Sequence, residues 1–283
     1  MDTPKKFLIQ SLDKTDKMCL DKVKQDGYAL EFVKNQTYEI CLAAITQNGH
    51  ALQFVKNQSY KICMFAVKRN GCVLRHVKEQ THEICLEAVK QDGYALRYVQ
   101  EQTREICLEA VKQNGCVLQY VKDQTHEICL QAVKQDGYAL RFVQQQSPEI
   151  CLEAVKQDGN ALQYVKEQTN EICLVAVKEN GYALEFVKQQ TTEICLEAVK
   201  QSGRALEFVI QQTSDICMAA IKQKPAALEC VKDQTYEILS EAFLGFDIFL
   251  RQAIKDQEAE FVMKIIKENL EDVRHKLDKF NDF

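Results

Sequence analysis

Glycine recurs at a fixed interval of twenty-two residues along most of this chain. Nine of its ten glycines belong to this series, and Pro225 stands at the tenth place. Fixed periods of 20 to 50 residues are typical of solenoids, in which each repeat buries its apolar face only against its neighbours. The spacing therefore predicts a linear array of repeats. Positions within a repeat are numbered here from 1 to 22, starting at Gly27, Gly49, Gly71, Gly93, Gly115, Gly137, Gly159, Gly181, Gly203 and Pro225.

Each repeat has the pattern of two short helices. In the repeat that begins at Gly93, apolar residues at helical spacing predict a helix A of about eight residues, with Ala95, Leu96, Tyr98 and Val99 on one side. Thr103 suits the N-cap of a helix B of about ten residues. The pair Asn114-Gly115 is predicted to end helix B as a left-handed C-cap. The buried stripe of helix B contains Ile106, Cys107, Ala110 and Val111.

The predicted fold class is all-α: an α-solenoid of about ten 22-residue helix-turn-helix repeats with a C-terminal capping helix. We expect an N-terminal cap and half repeat over residues 1–26, the array over 27–244 and a helical cap over 245–283. In the last segment, apolar residues alternate at spacings of four and three. This seam is predicted to cap the array, and dimerisation is the alternative. It contains Ile266, Leu270, Val273, Leu277 and Phe280.

Charge and hydropathy restrict the partners. The formal net charge is −5, from 36 basic and 41 acidic residues, so no overall positive field attracts nucleic acid. No apolar run approaches the roughly 20 residues that span a bilayer. We expect a soluble, cytoplasmic protein. Lysine recurs at position 20, but glutamate three residues earlier, as in Glu87 and Lys90 or Glu109 and Lys112, is expected to neutralise that stripe. Nucleic-acid binding there is the least favoured hypothesis.

Cysteine is abundant, with ten of thirteen residues at position 15. These thiols lie in the predicted buried stripe, too far apart on stacked helices for disulfides, and are expected to be reduced core residues. Cys72 and Cys116, at position 2, are expected to be more exposed. No spacing of cysteine or histidine suggests a zinc site, and no motif suggests catalysis or a cofactor. The sequence predicts a non-enzymatic protein.

Glutamine occupies position 10 in all ten repeats, always followed by Thr or Ser. An amide side chain offers donors and an acceptor for backbone groups that lack helical partners. We therefore predict a glutamine ladder in which this side chain serves its own repeat or the adjacent one. The array also has a longer period, because residues 72–115 and 116–159 match at 35 of 44 positions.

The segment ICLEAVKQDGYALRYVQEQT resembles a short αα repeat of unknown function that is abundant in giant DNA viruses of amoebae, the mimivirus group. The shared motifs are A-V-K-Q-[DN]-G, A-L-x-[FY]-V and E-I-C-L, over residues 15 to about 244. The resemblance implies a viral protein that acts in the host cytoplasm, and it implies no catalytic residue. Lys22, Pro225 and Ile210 depart from the pattern.

The favoured function is a scaffold that binds an unknown protein or peptide, because repeats present variable positions on a constant core. An unconstrained surface explains the same variability equally well. Self-assembly into dimers or filaments is the alternative function. Candidate partner-binding residues are Tyr28, His50, Tyr94, Tyr138 and Tyr182 at position 2, His82, Arg104 and His126 at position 12, and Glu109 and Lys112 on helix B.

Overall fold

The computed structural model describes residues 16–255 together with Glu271 and Arg274. The chain is an all-α solenoid, as predicted, and divides into two compact bodies, Met1–Gln144 and Gln145–Phe283. The A helices are Gly27–Phe32, Gly49–Phe54, Gly71–His76, Gly93–Tyr98, Gly115–Tyr120, Gly137–Phe142, Gly159–Tyr164, Gly181–Phe186, Gly203–Phe208 and Pro225–Cys230. The B helices are Asp16–Gln25, Tyr38–Gln47, Tyr60–Arg69, His82–Gln91, Arg104–Gln113, His126–Gln135, Pro148–Gln157, Asn170–Glu179, Thr192–Gln201, Ser214–Gln223 and Tyr236–Lys255.

Helix A is a 3-10 helix of six residues, shorter than the eight expected. Hydrogen bonds cap both ends of this short segment. In Gly93–Tyr98 the side chain of Asp92 accepts from the Tyr94 N–H, and the Val99 N–H donates to the Leu96 carbonyl. Val99 is already extended, with φ −71° and ψ 121°, so the segment cannot continue into an α-helix. Such short 3-10 segments are common between longer elements.

The predicted N-cap of helix B is confirmed, because the Thr103 hydroxyl accepts from the Ile106 N–H. The predicted left-handed C-cap is wrong. Asn114 is extended, with φ −150° and ψ 110°, and its side chain caps the next helix A by accepting from the Cys116 N–H. Gly115 does not adopt a left-handed conformation either. The residue at position 22 therefore ends helix B in an extended conformation, with its N–H donating to the Ala110 carbonyl in the case of Asn114, and its side chain begins helix A.

Close packing of helix A on helix B of the same repeat, rather than backbone conformation, requires the glycine. A Cβ atom added at Gly71 would lie 2.2 Å from the carbonyl oxygen of Ala88 in that helix B. At Gly115 the corresponding distance to the Ala132 oxygen is 2.3 Å. Position 1 therefore packs directly on the last turn of the neighbouring helix B.

The same positions of successive repeats form the buried core. In the repeat at Gly93, Leu96, Ile106 and Val111 are at most 1% exposed. The cysteines at position 15 are also buried and free, as predicted. Burial of an aliphatic side chain of this size contributes about 1.5 to 3 kcal/mol, and neighbours on both sides provide that burial. Each short helix therefore depends on stacking for its stability.

The predicted glutamine ladder is confirmed. Gln102 Nε2 donates to the Leu96 carbonyl of its own helix A and, at 2.8 Å, to the Tyr120 carbonyl of the next repeat. Gln102 Oε1 accepts from the Lys122 N–H at 2.9 Å. The same donation to the following repeat recurs at Gln36, Gln58, Gln80 and Gln124 in the N-terminal body and at Gln146, Gln168, Gln190 and Gln212 in the C-terminal body.

A second glutamine ladder, which the sequence analysis missed, lies at position 21. The Oε1 atom of this residue accepts the N–H of the glycine at position 1 of the same repeat, as in Gly27 to Gln47 at 2.7 Å. Its Nε2 donates back to a preceding carbonyl, as in Gln47 to Gln25. The signal was present, because position 21 is glutamine in eight of ten repeats between residues 25 and 223. Other glycine donors of this kind are Gly71, Gly115, Gly181 and Gly203.

The second ladder explains the exceptions in the glycine series. Pro225, at position 1, has no N–H to donate, and the place of the next glutamine is taken by Gly245. A Cβ atom at Gly245 would lie 2.6 Å from Pro225 Cγ. Proline at position 1 therefore goes together with glycine at position 21, and the helix at Pro225–Cys230 keeps the regular form.

The last described helix, Tyr236–Lys255, begins as helix B of a repeat and continues across residues 244 and 245. The predicted seam at Ile266, Leu270, Val273, Leu277 and Phe280 lies outside the described residues. Capping and dimerisation by that seam both stay predictions.

Candidate interaction surface

The turns from helix A to helix B lie side by side within each body. We call positions 8–14 of successive repeats the turn edge. In the C-terminal body a groove of about 600 Å³ opens on this edge, lined by Gln168, Thr169, Asn170, Cys173, Lys188, Gln189, Thr191, Thr192, Glu193 and Ile194. The next groove, of about 220 Å³, is lined by Gln190, Thr191, Thr192, Cys195, Ile210, Gln211, Thr213 and Ile216. Because Thr191 and Thr192 belong to both, the two grooves form one trough.

An equivalent groove lies in the N-terminal body. Its volume is about 440 Å³, and it is lined by Lys56, Asn57, Gln58, Ser59, Tyr60, Cys63, Lys78, Glu79, Thr81 and Ile84. All three grooves use positions 10, 11, 12 and 15 of one repeat and positions 8, 9, 11 and 14 of the next. The lining is constant at glutamine, threonine or serine, cysteine and isoleucine. Positions 8, 9 and 12 supply the variation.

The predicted candidates at position 12 form contacts with the next repeat. His82 Nε2 lies 3.0 Å from Glu105 Oε2, and both side chains are exposed. Arg104 Nε donates to Glu127 Oε2 at 2.9 Å. Asn170 donates to Glu193 in the same way at 3.4 Å. His126 is exposed at the equivalent place. In these repeats position 12 supplies a donor to the first-turn carboxylate one repeat further along the chain.

Lysines at position 8 donate hydrogen bonds to backbone carbonyls of the preceding repeat. Lys188 Nζ donates to the Lys166 carbonyl at 2.9 Å, and Lys232 Nζ donates to the Val209 carbonyl at 3.3 Å. The carbonyl ends of helix A attract these ammonium groups. Ile210, one of the three noted departures, interrupts the row and is 67% exposed. The trough therefore has an apolar wall where other repeats carry a polar side chain.

The candidates at position 2 pack edge-to-face on aromatic residues of the next repeat. Ring centroids lie 5.7 Å apart for Tyr28 and Phe54 and 6.0 Å apart for Tyr182 and Phe208. Tyr94 packs similarly on Tyr120 at 6.3 Å. Tyr28, Tyr94 and Tyr182 stay exposed, and Tyr138 is half-buried. Position 2 therefore helps to dock adjacent repeats, which the sequence analysis had not anticipated.

Histidine replaces the aromatic pair at one place. His50 Nδ1 lies 3.3 Å from His76 Nε2, with the rings edge-to-face, and Arg75 Nε donates to His76 Nε2 at 2.9 Å. Burial and the Arg75 charge lower the pKa of His50. Burial, Arg75 and His50 lower the pKa of His76. The surroundings of both rings therefore favour the neutral form.

Cys72 and Cys116 are half-buried rather than freely exposed. Cys72 Sγ donates to Asp92 Oδ2 at 3.0 Å, and Cys116 Sγ donates to Asp136 Oδ2 at 3.0 Å. Burial, with the hydrogen bond to Asp92, raises the pKa of Cys72 to about 11. Thiols of this kind are poor nucleophiles near neutral pH.

The candidates on helix B, Glu109 and Lys112, belong neither to position 2 nor to position 12. Glu109 is half-buried and Lys112 is exposed. The expected i,i+3 ion pair forms at Glu197 and Lys200, at 2.9 Å. Across the described residues it does not form between Glu87 and Lys90 or between Glu109 and Lys112. Neutralisation of the lysine stripe is therefore partial. In the described ranges, no group of three or more His, Cys, Asp or Glu is placed to hold a metal ion.

Comparison with known families agrees with the repeat period. The DUF4116 family, a domain of unknown function, matches residues 59–104, 103–146, 125–170, 147–191 and 169–212. Together these matches cover residues 59–212, more than half of the chain. The chain belongs to the DUF4116 family. Each match spans two 22-residue repeats, in line with the longer period in the sequence. No curated protein and no solved structure matches the chain. In the described part of the chain, no helix is both long and apolar enough to cross a membrane.

Proposed function

We propose that this protein is a non-enzymatic scaffold that binds an extended segment of a partner protein along the turn edge. The observation that carries the proposal is the recurrence of one groove at equivalent positions of both bodies. Part of its lining is constant, and positions 8, 9 and 12 change from repeat to repeat. A linear series of similar grooves suits an extended chain, because one groove can accept a side chain while the next accepts another.

The resemblance of the repeat to those of giant DNA viruses of amoebae supports a further part of the proposal. In it, the protein is viral and its partner lies in the cytoplasm of the infected host. Purification of the protein with its partner from infected cells tests that part separately.

A peptide library displayed on phage tests the binding function with the full-length chain. Selected peptides should lose affinity for a variant that carries Tyr60→Ala, His82→Ala and Arg104→Ala at position 12. A control variant with Lys68→Ala, Lys90→Ala and Lys112→Ala changes exposed residues of the same three B helices away from the turn edge. Peptides that bind both variants alike, or a library that yields no binder, would overturn the proposal.

A further inference from the structure

The turn edge of the C-terminal body carries more carboxylates than ammonium groups. Exposed acidic residues occupy positions 9 and 13, and lysines occupy position 8. Lys188 and Lys232 already donate to backbone carbonyls of the preceding repeat, which directs their charge away from the carboxylates. The acidic residues are Glu149, Glu167, Glu171, Glu193, Asp215, Asp233 and Glu237, and the lysines are Lys166, Lys188 and Lys232.

The chain's own contacts show which group the position 13 carboxylates accept. Arg104 donates to Glu127, and Asn170 donates to Glu193, in each case from position 12 of the preceding repeat. Pro148 and Thr192 occupy position 12 before Glu171 and Asp215, and neither supplies such a donor. Within the described residues, Glu171 and Asp215 make no hydrogen bond or ion pair. Two carboxylates of the same row are therefore available to a donor from another molecule.

The trough described above lies along these carboxylates. Glu193 lines its larger groove, and Asp215 precedes the lining residue Ile216 in its smaller one. Ile210 forms an exposed apolar wall beside them. An arginine or lysine side chain has both an aliphatic stem for such a wall and a cationic head for a carboxylate.

We infer that this trough binds an extended basic segment that carries arginine or lysine at every third residue. The inference rests on the proposed function and specifies its partner. Equivalent positions of stacked helices lie about 8 to 10 Å apart. A chain in the polyproline II conformation rises about 3.1 Å per residue with three residues per turn, so every third side chain lies on the same side. Three residues thus advance about 9 Å, and successive cations meet Glu171, Glu193 and Asp215. The uncharged linings of threonine and glutamine contact the backbone between them.

Synthetic peptides test the charge and the spacing. The probe is an acetylated and amidated peptide of about twelve residues with arginine at every third position, long enough to cross about four repeats. Two peptides of equal length serve as controls, one with the same arginines placed consecutively and one with glutamate in their place. Fluorescence anisotropy with the full-length chain should rank the spaced arginine peptide first, with an affinity that falls as salt is added. Equal affinity for the two arginine peptides, or preference for the glutamate peptide, would overturn the inference.

Isosteric variants locate the site. Glu171→Gln, Glu193→Gln and Asp215→Asn together should weaken the spaced peptide about tenfold, since exposed ion pairs contribute modestly and three are lost. Glu179→Gln, Glu185→Gln and Glu207→Gln remove the same net charge from exposed positions outside the turn edge and should change affinity less than about twofold. A similar loss of affinity in both variants would show that overall charge causes the effect, and it would contradict the proposed location of the site.

Replacement of Ile210 tests the apolar wall. Lysine and glutamine both occur naturally at position 8, at Lys188 and Gln144, so Ile210→Lys and Ile210→Gln are expected to fold. Ile210→Lys adds a cation and should weaken the arginine peptide several-fold, whereas Ile210→Gln should weaken it less. Unchanged or stronger binding by Ile210→Lys would contradict the inference. Library peptides that need position 12 but lack basic residues at this spacing would overturn the inference while leaving the proposed function intact.

Discussion

At the scale of single residues, the glycine series is explained by the close contact between helix A and the following helix B. Gly71 cannot accept a Cβ atom, because its place lies 2.2 Å from the Ala88 carbonyl oxygen. Gly49 differs, since its nearest neighbours would be side-chain atoms, Val73 Cγ1 at 3.2 Å and Asn70 Cβ at 3.8 Å. The same repeat carries Arg69 at position 21, where most repeats have the glutamine of the second ladder.

This difference predicts unequal effects of one substitution. Gly71→Ala should lower the free energy of unfolding by about 1 to 3 kcal/mol, because the close packing cannot expand without strain. Gly49→Ala should change it by less than about 1 kcal/mol, because the small clash is offset by the reduced entropy of the unfolded chain. Urea titration followed by circular dichroism measures both. Equal destabilisation would contradict the role assigned to close approach.

The thiols at position 2 give a second prediction at this scale. Cys72 should react slowly with iodoacetamide near neutral pH, and its rate should rise toward pH 11, because its pKa is raised to about 11. Asp92→Asn should accelerate the reaction at about pH 8 several-fold, since removal of a neighbouring negative charge favours the thiolate. Asparagine occurs naturally at the equivalent Asn70 and keeps the helix cap there. Peptide mapping by mass spectrometry reports the rate, and an unchanged rate in the variant would refute the coupling.

At the scale of the helices, docking between repeats uses interchangeable pairs. Tyr28 and Phe54 make the contact that His50 and His76 make one repeat later. Arg204 and Glu229 make an ionic version, at 3.0 Å. Position 2 is variable because several kinds of contact with the next repeat serve the same interface.

The histidine pair makes stability depend on pH. Its pKa values are lowered in the folded chain, so at pH values just below about 6.5 the unfolded chain binds more protons. The stabilisation is therefore complete above about pH 6.5 and is lost as the pH falls through the folded pKa values. Urea midpoints at about pH 7.5 and about pH 5.5 should differ more for the natural chain than for the variant His50→Tyr with His76→Phe, which copies the pair at Tyr28 and Phe54. An equal difference would assign the pH dependence to other groups.

The sequence pattern predicted some features of the helices and their contacts but not others. The period, the buried stripe at Ile106 and Cys107 and the ladder at Gln102 followed from residue types, because each recurs with one chemical character. The 3-10 form of Gly93–Tyr98 did not follow, since its apolar spacing over six residues fits an α-helix as well. Nor did the pairing of Tyr94 with Tyr120, because a contact between repeats depends on how helices dock and not on the pattern within one repeat. The grooves at the turn edge likewise arise only from two repeats together.

At the scale of the whole molecule, repeats within each body contact their neighbours through the same positions, so the stability of a body is expected to be a sum of repeat and interface terms. Removal of one complete repeat, residues 94–115, leaves Gly93 followed by Cys116 and restores every ladder contact. His82 then meets Glu127 in place of Glu105, with the same chemistry. This deletion should fold with the same circular dichroism per residue and a slightly lower resistance to urea.

A deletion of half that length, residues 94–104, is the matched control. It joins Gly93 to Glu105 and removes helix A together with the Gln102 ladder and the Thr103 cap. The flanking repeats then lose their register, and their buried carbonyl and N–H groups lose partners at a cost of about 1 to 3 kcal/mol each. We expect marked loss of helical signal in this variant alone. If the two deletions proved equally folded, the 22-residue repeat would not be the unit of packing.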